Sequence, residues 1–313
     1  MITQNPDYFI AIVQSGSLTK AAEKLFVSQP ALSQYLKRLE SDLGIELFNR
    51  STSPLTLTFA GEKYYNYILN IKRMESSIRE ELTDVRKEIS GKLRLGVALW
   101  RSACFIPNVF PEFHRRYPKV SLELFEGRFA QMKQALENND IDMAVVNLLP
   151  AGAYGDFDVE PIIRERILLA APTGHPYVQE RLKNQELLNG FPTIPLDILD
   201  LIPIAITKEK QSLTDMVTSV LARKHITPDI LLRTANLTTA INLTASGMCC
   251  AFVPEEGAFI CRHPEQVSYF ALDDADFSWT LAFIYCRNTY LSAIAQNFIR
   301  CTKDVFSDEQ TGP

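Results

Sequence analysis

The segment from Gly16 to Glu40 constrains this chain more than any other. It reads Gly16-Ser17-Leu18-Thr19-Lys20-Ala21-Ala22-Glu23-Lys24-Leu25-Phe26-Val27-Ser28-Gln29-Pro30-Ala31-Leu32-Ser33-Gln34-Tyr35-Leu36-Lys37-Arg38-Leu39-Glu40. Ser17 or Thr19 can cap one short helix, and Ser28 can cap a second. Pro30 is tolerated there because the first N–H groups of a helix have no helical partner. In the second helix Leu32, Leu36, Leu39 and Leu43 recur at helical steps and predict one buried face, while Gln29, Ser33 and Lys37 line the opposite edge. Gly44 supplies the stop. Two capped helices joined by a tight turn read as a helix-turn-helix.

The polar edge suits the major groove. A Gln can bond adenine through both amide groups, Ser is adaptable, and Lys or Arg reaches guanine or phosphate. Candidate DNA contacts are therefore Gln29, Pro30, Ser33, Gln34, Lys37 and Arg38 on the second helix. Ser17, Thr19, Lys20 and Ser28 stand at helix N-termini, where free N–H groups favour phosphate. Each residue alone is more often a solvated surface position; together they make a specific pattern.

Next, Leu55 and Leu57 alternate with Thr56 and Thr58 after a Ser/Pro turn, which predicts a small hairpin or wing preceded by Arg50. Residues 60–90 lack Pro and hold only Gly61, so one long helix is expected, about 45 Å at the α-helical rise. Positions 64, 68, 71, 75, 78, 82, 85 and 89 step by four and three and are apolar except Glu75. Such a seam predicts a paired-helix homodimer; packing on the chain's own core is the alternative.

From Gly91 the pattern changes to alternating strands and helices. Strands are expected at 93–99, 120–125, 141–147, 167–171, 202–206, 230–232, 249–253, 267–272 and 280–285, with helices at 104–117, 129–138, 213–224, 237–246 and 291–306. That alternation predicts an α/β region with a mostly parallel sheet.

Charge alone does not argue for nucleic acid. The net charge is −5, and the first 90 residues balance eleven cations against eleven anions. The case rests on placement. No run approaches the roughly 20 apolar residues of a membrane span, and no basic start leads into an apolar core, so a cytoplasmic protein is expected. The six cysteines lie mostly in apolar runs and read as buried thiols. A redox-sensing role would fall to Cys104, near Arg101. No nucleophile elbow, phosphate loop, dinucleotide fingerprint or zinc-protease motif occurs, so no catalytic residue, metal or cofactor is assigned and an enzyme is the weaker alternative.

The run Ala21-Ala22, Leu25, Val27-Ser28-Gln29-Pro30-Ala31-Leu32-Ser33, Leu36, Leu39-Glu40, Leu43-Gly44, Leu47-Phe48, Arg50, Leu57-Thr58 and Gly61 resembles the N-terminal signature of the LysR-type transcriptional regulators. Gly96-Val97-Ala98, Phe110-Pro111-Glu112-Phe113, Tyr117-Pro118, Leu136, Asp140-Ile141-Asp142, Ala144-Val145, His175-Pro176, Ser246-Gly247 and Val253-Pro254 resemble the rest of that family more loosely. The resemblance implies a multidomain chain. It comprises an all-α winged helix-turn-helix domain at 1–59, a linker and dimerisation helix at 60–90, and an α/β effector domain at 91–313. The last would have the two lobes of periplasmic binding proteins, one at about 92–162 and 268–303, the other at about 163–267. The resemblance further implies double-stranded promoter DNA and a small-molecule effector as partners, a homodimer through the linker helices assembling to a homotetramer, and promoter bending that the effector alters. RNA polymerase is a further candidate partner. This chain departs from many relatives at Gln34, where Arg is common, and at Cys249, where a further Gly is common.

In such a fold the ligand lies between lobes, near strand ends and helix starts. Trp100, Arg101, Ser102, Lys208, Gln211, Ser212, Asn236 and Thr238 are the candidate effector contacts. Hydroxyl and amide groups beside helix N-termini, with Arg101 and Lys208, predict a small anionic metabolite, a carboxylate being the candidate.

Overall fold

The computed structural model describes residues 5–49, 54–84, 89–148, 154–183, 187–188, 190–209, 211–272, 276–287 and 289–310. They form two compact units, Met1–Thr83 and Asp84–Pro313.

In the first unit, helices α1 (Pro6–Ser15), α2 (Leu18–Lys24) and α3 (Gln29–Leu43) precede a two-stranded hairpin, β1 (Phe48–Asn49) with β2 (Thr56–Leu57), and the long helix α4 (Phe59–Asp84). The caps fall where the side chains require them. Ser17 Oγ accepts from Lys20 N and Ser28 Oγ from Ala31 N, at 3.5 and 3.4 Å, and Gly44 closes α3 at φ +68°. Leu32, Leu36 and Leu39 are buried with Phe9 and Ile12 of α1, Ala21 and Ala22 of α2, and Phe48 of the hairpin. Each fully buried Leu contributes about 2 kcal/mol, so the apolar side of α3 fixes which edge is left to solvent. Leu43 is only half-buried.

The hairpin is fastened to α3 by Glu40. This carboxylate is buried and accepts from the backbone N–H groups of Leu47 and Phe48 at 2.8 and 3.3 Å. Thr58 starts α4, with its hydroxyl donating to Glu46 O and accepting from Gly61 N. A Cβ on Gly61 would stand 2.0 Å from Leu47 O, so only glycine permits this close approach of helix and hairpin.

The long helix divides the expected seam. Tyr64 and Ile68 are buried in the first unit's own core, whereas Ile78 is 51% and Met74 72% exposed. Val85 and Arg50 lie outside the described residues, as does the turn at 51–53. Ile89 does not extend the seam; it packs on the core of the second unit, where burial is available to it.

The second unit is built on one nine-stranded sheet. Its strands are β3 (Gly91–Val97), β4 (Val120–Glu126), β5 (Met143–Asn147), β6 (Phe157–Pro172), β9 (Ile204–Thr207), β10 (Ile230–Thr234), β11 (Cys250–Pro254), β12 (Val267–Ala271) and β13 (Ser278–Cys286). A separate hairpin joins β7 (Leu187–Leu188) to β8 (Phe191–Pro192). The order is β10-β9-β11-β6-β13-β5-β3-β4, with β12 also on β6. The sheet is mixed rather than mostly parallel, because β6 takes only antiparallel partners: β13 along its first part and β11 and β12 along its last. Two lobes result, and β6 runs through both.

Helices α5 (Leu99–Arg116), α6 (Phe129–Glu137) and α10 (Ala293–Gln310) belong to the first lobe; α7 (Pro176–Lys183), α8 (Ser212–Arg223) and α9 (Leu237–Ala245) belong to the second. Phe105, Phe113, Phe283 and Phe298 pack one face of the first lobe's sheet, and Met132, Ile141, Phe157 and Ile284 the other. Leu168, Val217, Ile241 and Val253 are central to the second lobe. Strand β12, placed at the return to the first lobe by the sequence reading, pairs with β6 beside Leu168–Pro172 residues in the second; the return begins at β13. Among the described residues no helix is long and apolar enough to cross a membrane.

Candidate DNA-binding surface and effector cavity

On α3 the side chains of Gln29, Pro30, Gln34, Lys37 and Arg38 are exposed, and Ser33 is half-buried. They emerge opposite Leu32, Leu36 and Leu39, as helical geometry requires. Thr19, Lys20 and Ser28 are also exposed, while Ser17 is half-buried. Phe26, in the turn between the helices, is 97% exposed with a left-handed φ of +55°. The arrangement offers amides, hydroxyls and cations along one rigid edge, flanked by two helix N-termini.

Between the two lobes of the second unit lies a cavity of about 280 Å³. Trp100, Arg101, Gln211, Ser212 and Asn236 line it; Ser102, Lys208 and Thr238 do not. Ser102 instead turns its hydroxyl to Leu99 O at 2.8 Å and to Glu126. Thr238 gives its backbone N–H to Asn236 Oδ1 at 3.0 Å, and Lys208 is exposed. Glu126, Arg128, Phe129, Asn147 and Trp279 also line the cavity, and the sequence reading did not select them. The rule applied to other strand-to-helix turns would have found Arg128, because it caps α6 directly after β4.

Four helices, α5, α6, α8 and α9, begin at the cavity wall. The caps of α5 and α8, Ala98 and Gln211, place no side-chain acceptor on the first-turn N–H groups. Those groups carry the positive end of the helix dipole.

Arg101 is not a solvated cation. Its side chain is 1% exposed and donates to Glu256 Oε2 at 2.7 Å, Glu165 Oε2 at 2.7 Å and Asn147 Oδ1 at 3.0 Å. Burial disfavours its charge, but Glu165 and Glu256 more than offset this and hold its pKa above the usual guanidinium value. The indole N–H of Trp279 donates to the same Glu165 oxygen at 2.5 Å. The Trp100 ring lies 4.3 Å from the Arg101 guanidinium carbon. Removing one partner of a buried ion pair typically costs about 3–5 kcal/mol, so this cluster holds its parts firmly.

Cys104 stands one helical turn beyond Trp100. Its thiol is buried and lies 3.5 Å from Arg101 O. Burial, followed by the Glu256 carboxylate, pushes its pKa up to about 12, so the thiol stays protonated near neutral pH.

Comparison with known proteins agrees with both units. The profile described as "Bacterial regulatory helix-turn-helix protein, lysR family" matches residues 5–62, and that described as "LysR substrate binding domain" matches residues 86–307. The chain is 27% identical over 308 residues to an uncharacterized HTH-type transcriptional regulator, YcgK, of Bacillus subtilis (strain 168), covering 95% of this chain and 93% of that one. Full-length OxyR from Pseudomonas aeruginosa, solved as a point variant, superposes with a TM-score of 0.71 at 20% identity, covering 96% of this chain and 92% of that one. The full-length CbnR structure with its target DNA gives 0.61 at 20% identity, covering 96% and 98%. The helix-turn-helix of the first unit and the cavity-bearing second unit fall within the segments that these two profiles match: the chain belongs to the LysR family of DNA-binding transcriptional regulators.

Proposed function

We propose that α3 enters the major groove of promoter DNA, with Gln29, Ser33 and Gln34 toward base edges and Lys37 and Arg38 toward the backbone phosphates. Ser17, Thr19, Lys20 and Ser28 meet phosphates at the starts of α2 and α3, Pro30 lies in the same exposed first turn of α3, and Arg50 of the wing lies by the backbone or minor groove. The observation that carries this reading is the exposed polar edge of α3 opposite Leu32, Leu36 and Leu39. The chain acts as a cytoplasmic homodimer joined by the exposed part of α4 at Met74 and Ile78, and two dimers form a tetramer that contacts RNA polymerase. It has no catalytic role.

The effector enters the inter-lobe cavity and is anionic, a carboxylate in the simplest case. Support comes from the four helix starts at the cavity wall and from Arg128 beside them. Trp100, Arg101, Gln211, Ser212 and Asn236 line its path; Ser102, Lys208 and Thr238, also candidates by sequence, lie outside the lining. The alternative in which Cys104 senses oxidants is disfavoured by the protonated, buried thiol.

Footprinting on the DNA upstream of the protein's own coding region, with and without a panel of organic acids and neutral sugars, tests the proposal. A protected site that lengthens or shifts with an acid supports it. Protection that ignores salt, or responds only to sugars, contradicts the DNA and anion readings respectively.

A further inference from the structure

Asn147 ends β5 and shares a face of that strand with Met143 and Val145. Those two are buried in the core that Phe105 and Val109 of α5 also fill, so Asn147 is carried toward α5 at the end of the strand that meets the cavity. Its backbone is fixed: it pairs with Leu281 of β13, and its carbonyl accepts from the Tyr154 hydroxyl at 3.0 Å.

The side chain is fixed as well. Arg101 Nη2 donates to Glu165 Oε2 at 2.7 Å and to Asn147 at 3.0 Å, and a guanidinium offers no acceptor. The atom that meets Arg101 is therefore the amide oxygen, and Nδ2 with its two hydrogens is turned to the other side. Among the described residues none accepts from Nδ2. Asn147 is half-buried and lines the cavity. A ligand that fills the cavity takes these N–H groups out of solvent and has to supply an acceptor for them, because a donor buried unmet is unfavourable. Arg101 already has its terminal nitrogens engaged by Glu165, Asn147 and Glu256.

We infer that Asn147, rather than Arg101, reads the ligand's acceptor: the amide N–H groups of Asn147 donate to a carboxylate oxygen in the cavity, and Arg101 is the positioning residue that turns them there. The inference rests on the effector-cavity reading and adds to it the side chain that selects an anion over a cation.

The chain's two tryptophans, Trp100 and Trp279, both line the cavity, so intrinsic fluorescence reports on it directly. Full-length protein at pH 8 is titrated with sodium acetate as the probe, against sodium chloride of equal ionic strength and ethylammonium chloride. Asn147→Asp keeps the shape and an oxygen for Arg101, and exchanges only the N–H groups for an acceptor. In this variant the acetate concentration at half-saturation is expected to rise by about tenfold or more, and a response to ethylammonium to appear. Asn147→Ala is expected to weaken acetate by about tenfold with no response to ethylammonium. A merely structural role would weaken acetate in both variants without that change of sign. Folding is checked by circular dichroism, and Asn147→Ala decides alone if Asn147→Asp does not fold. Wild-type half-saturation in either folded variant overturns the inference. So does a folded Asn147→Asp that ignores ethylammonium, or a wild type silent to acetate. Footprinting separates the two readings. If the acetate response depends on Asn147 but no acid alters the wild-type footprint, the role of Asn147 stands and the effector reading fails. If acids alter the wild-type footprint but the Asn147 variants match wild type with acetate, the reverse holds.

Discussion

Glu40 reaches from α3 to the backbone N–H of Leu47 at 2.8 Å, so a buried carboxylate links α3 to the hairpin. The carboxylate lies on the buried side of the helix whose exposed edge is proposed to meet DNA. Glu40→Ala leaves two backbone donors in the interior without this acceptor and is expected to destabilise the first unit by about 1–3 kcal/mol. Thermal melting followed by circular dichroism measures this; an unchanged midpoint would show that the hairpin is held by other contacts.

Gln29 and Lys37 share the exposed edge but differ in what they can read. Gln29→Ala is expected to cost about 1–3 kcal/mol at one base position and to relax the preference there. Lys37→Ala weakens binding to sequences more evenly and flattens the salt dependence. Gel-shift titrations on a set of single-base operator variants separate the two patterns, and equal binding of Gln29→Ala to every variant would remove that helix from the groove.

Ile78 is half-exposed on α4 with Met74 one turn before it. An apolar pair on a charged helix is best covered by a second helix. Ile78→Glu should lower the molar mass seen by light scattering at micromolar concentration. The same change at Ile68, which is buried in the chain's own core, should unfold the first unit instead.

Cys104 is buried, with a pKa near 12. At pH 8 the folded protein should keep it as the thiol, and iodoacetamide should alkylate it only after denaturant is added. Peroxide should leave the DNA footprint of wild type and Cys104→Ser alike. Rapid labelling of Cys104 in the native chain, read by mass spectrometry of its peptide, would revive the redox alternative.

The sequence was most legible where one residue type has one physical use. Ser28, Pro30, the leucines and Gly44 fix α3 without reference to anything distant. The strands of the second unit were also visible as apolar runs, but β6 was read only at its apolar end. Its first part carries Asp158, Glu160, Arg164 and Glu165, and these are accommodated by partners far along the chain, such as Arg287, Lys303 and Ser278. The start of α5 was hidden for a related reason: Ala98 is no cap, and Pro107 and Pro111 stand inside the helix. In the cavity, strand-to-helix turns gave away Trp100, Gln211 and Asn236. The state of Arg101 was not legible, because Glu165 and Glu256 lie 64 and 155 positions away.

The long strand β6 is a single ribbon of 16 residues shared by both lobes. Parting the half-sheets would strip one of them of an inner strand, so the two halves are expected to melt together. Calorimetry of residues 84–313 should register one melting event, and a cut anywhere in this ribbon should dissolve both halves together.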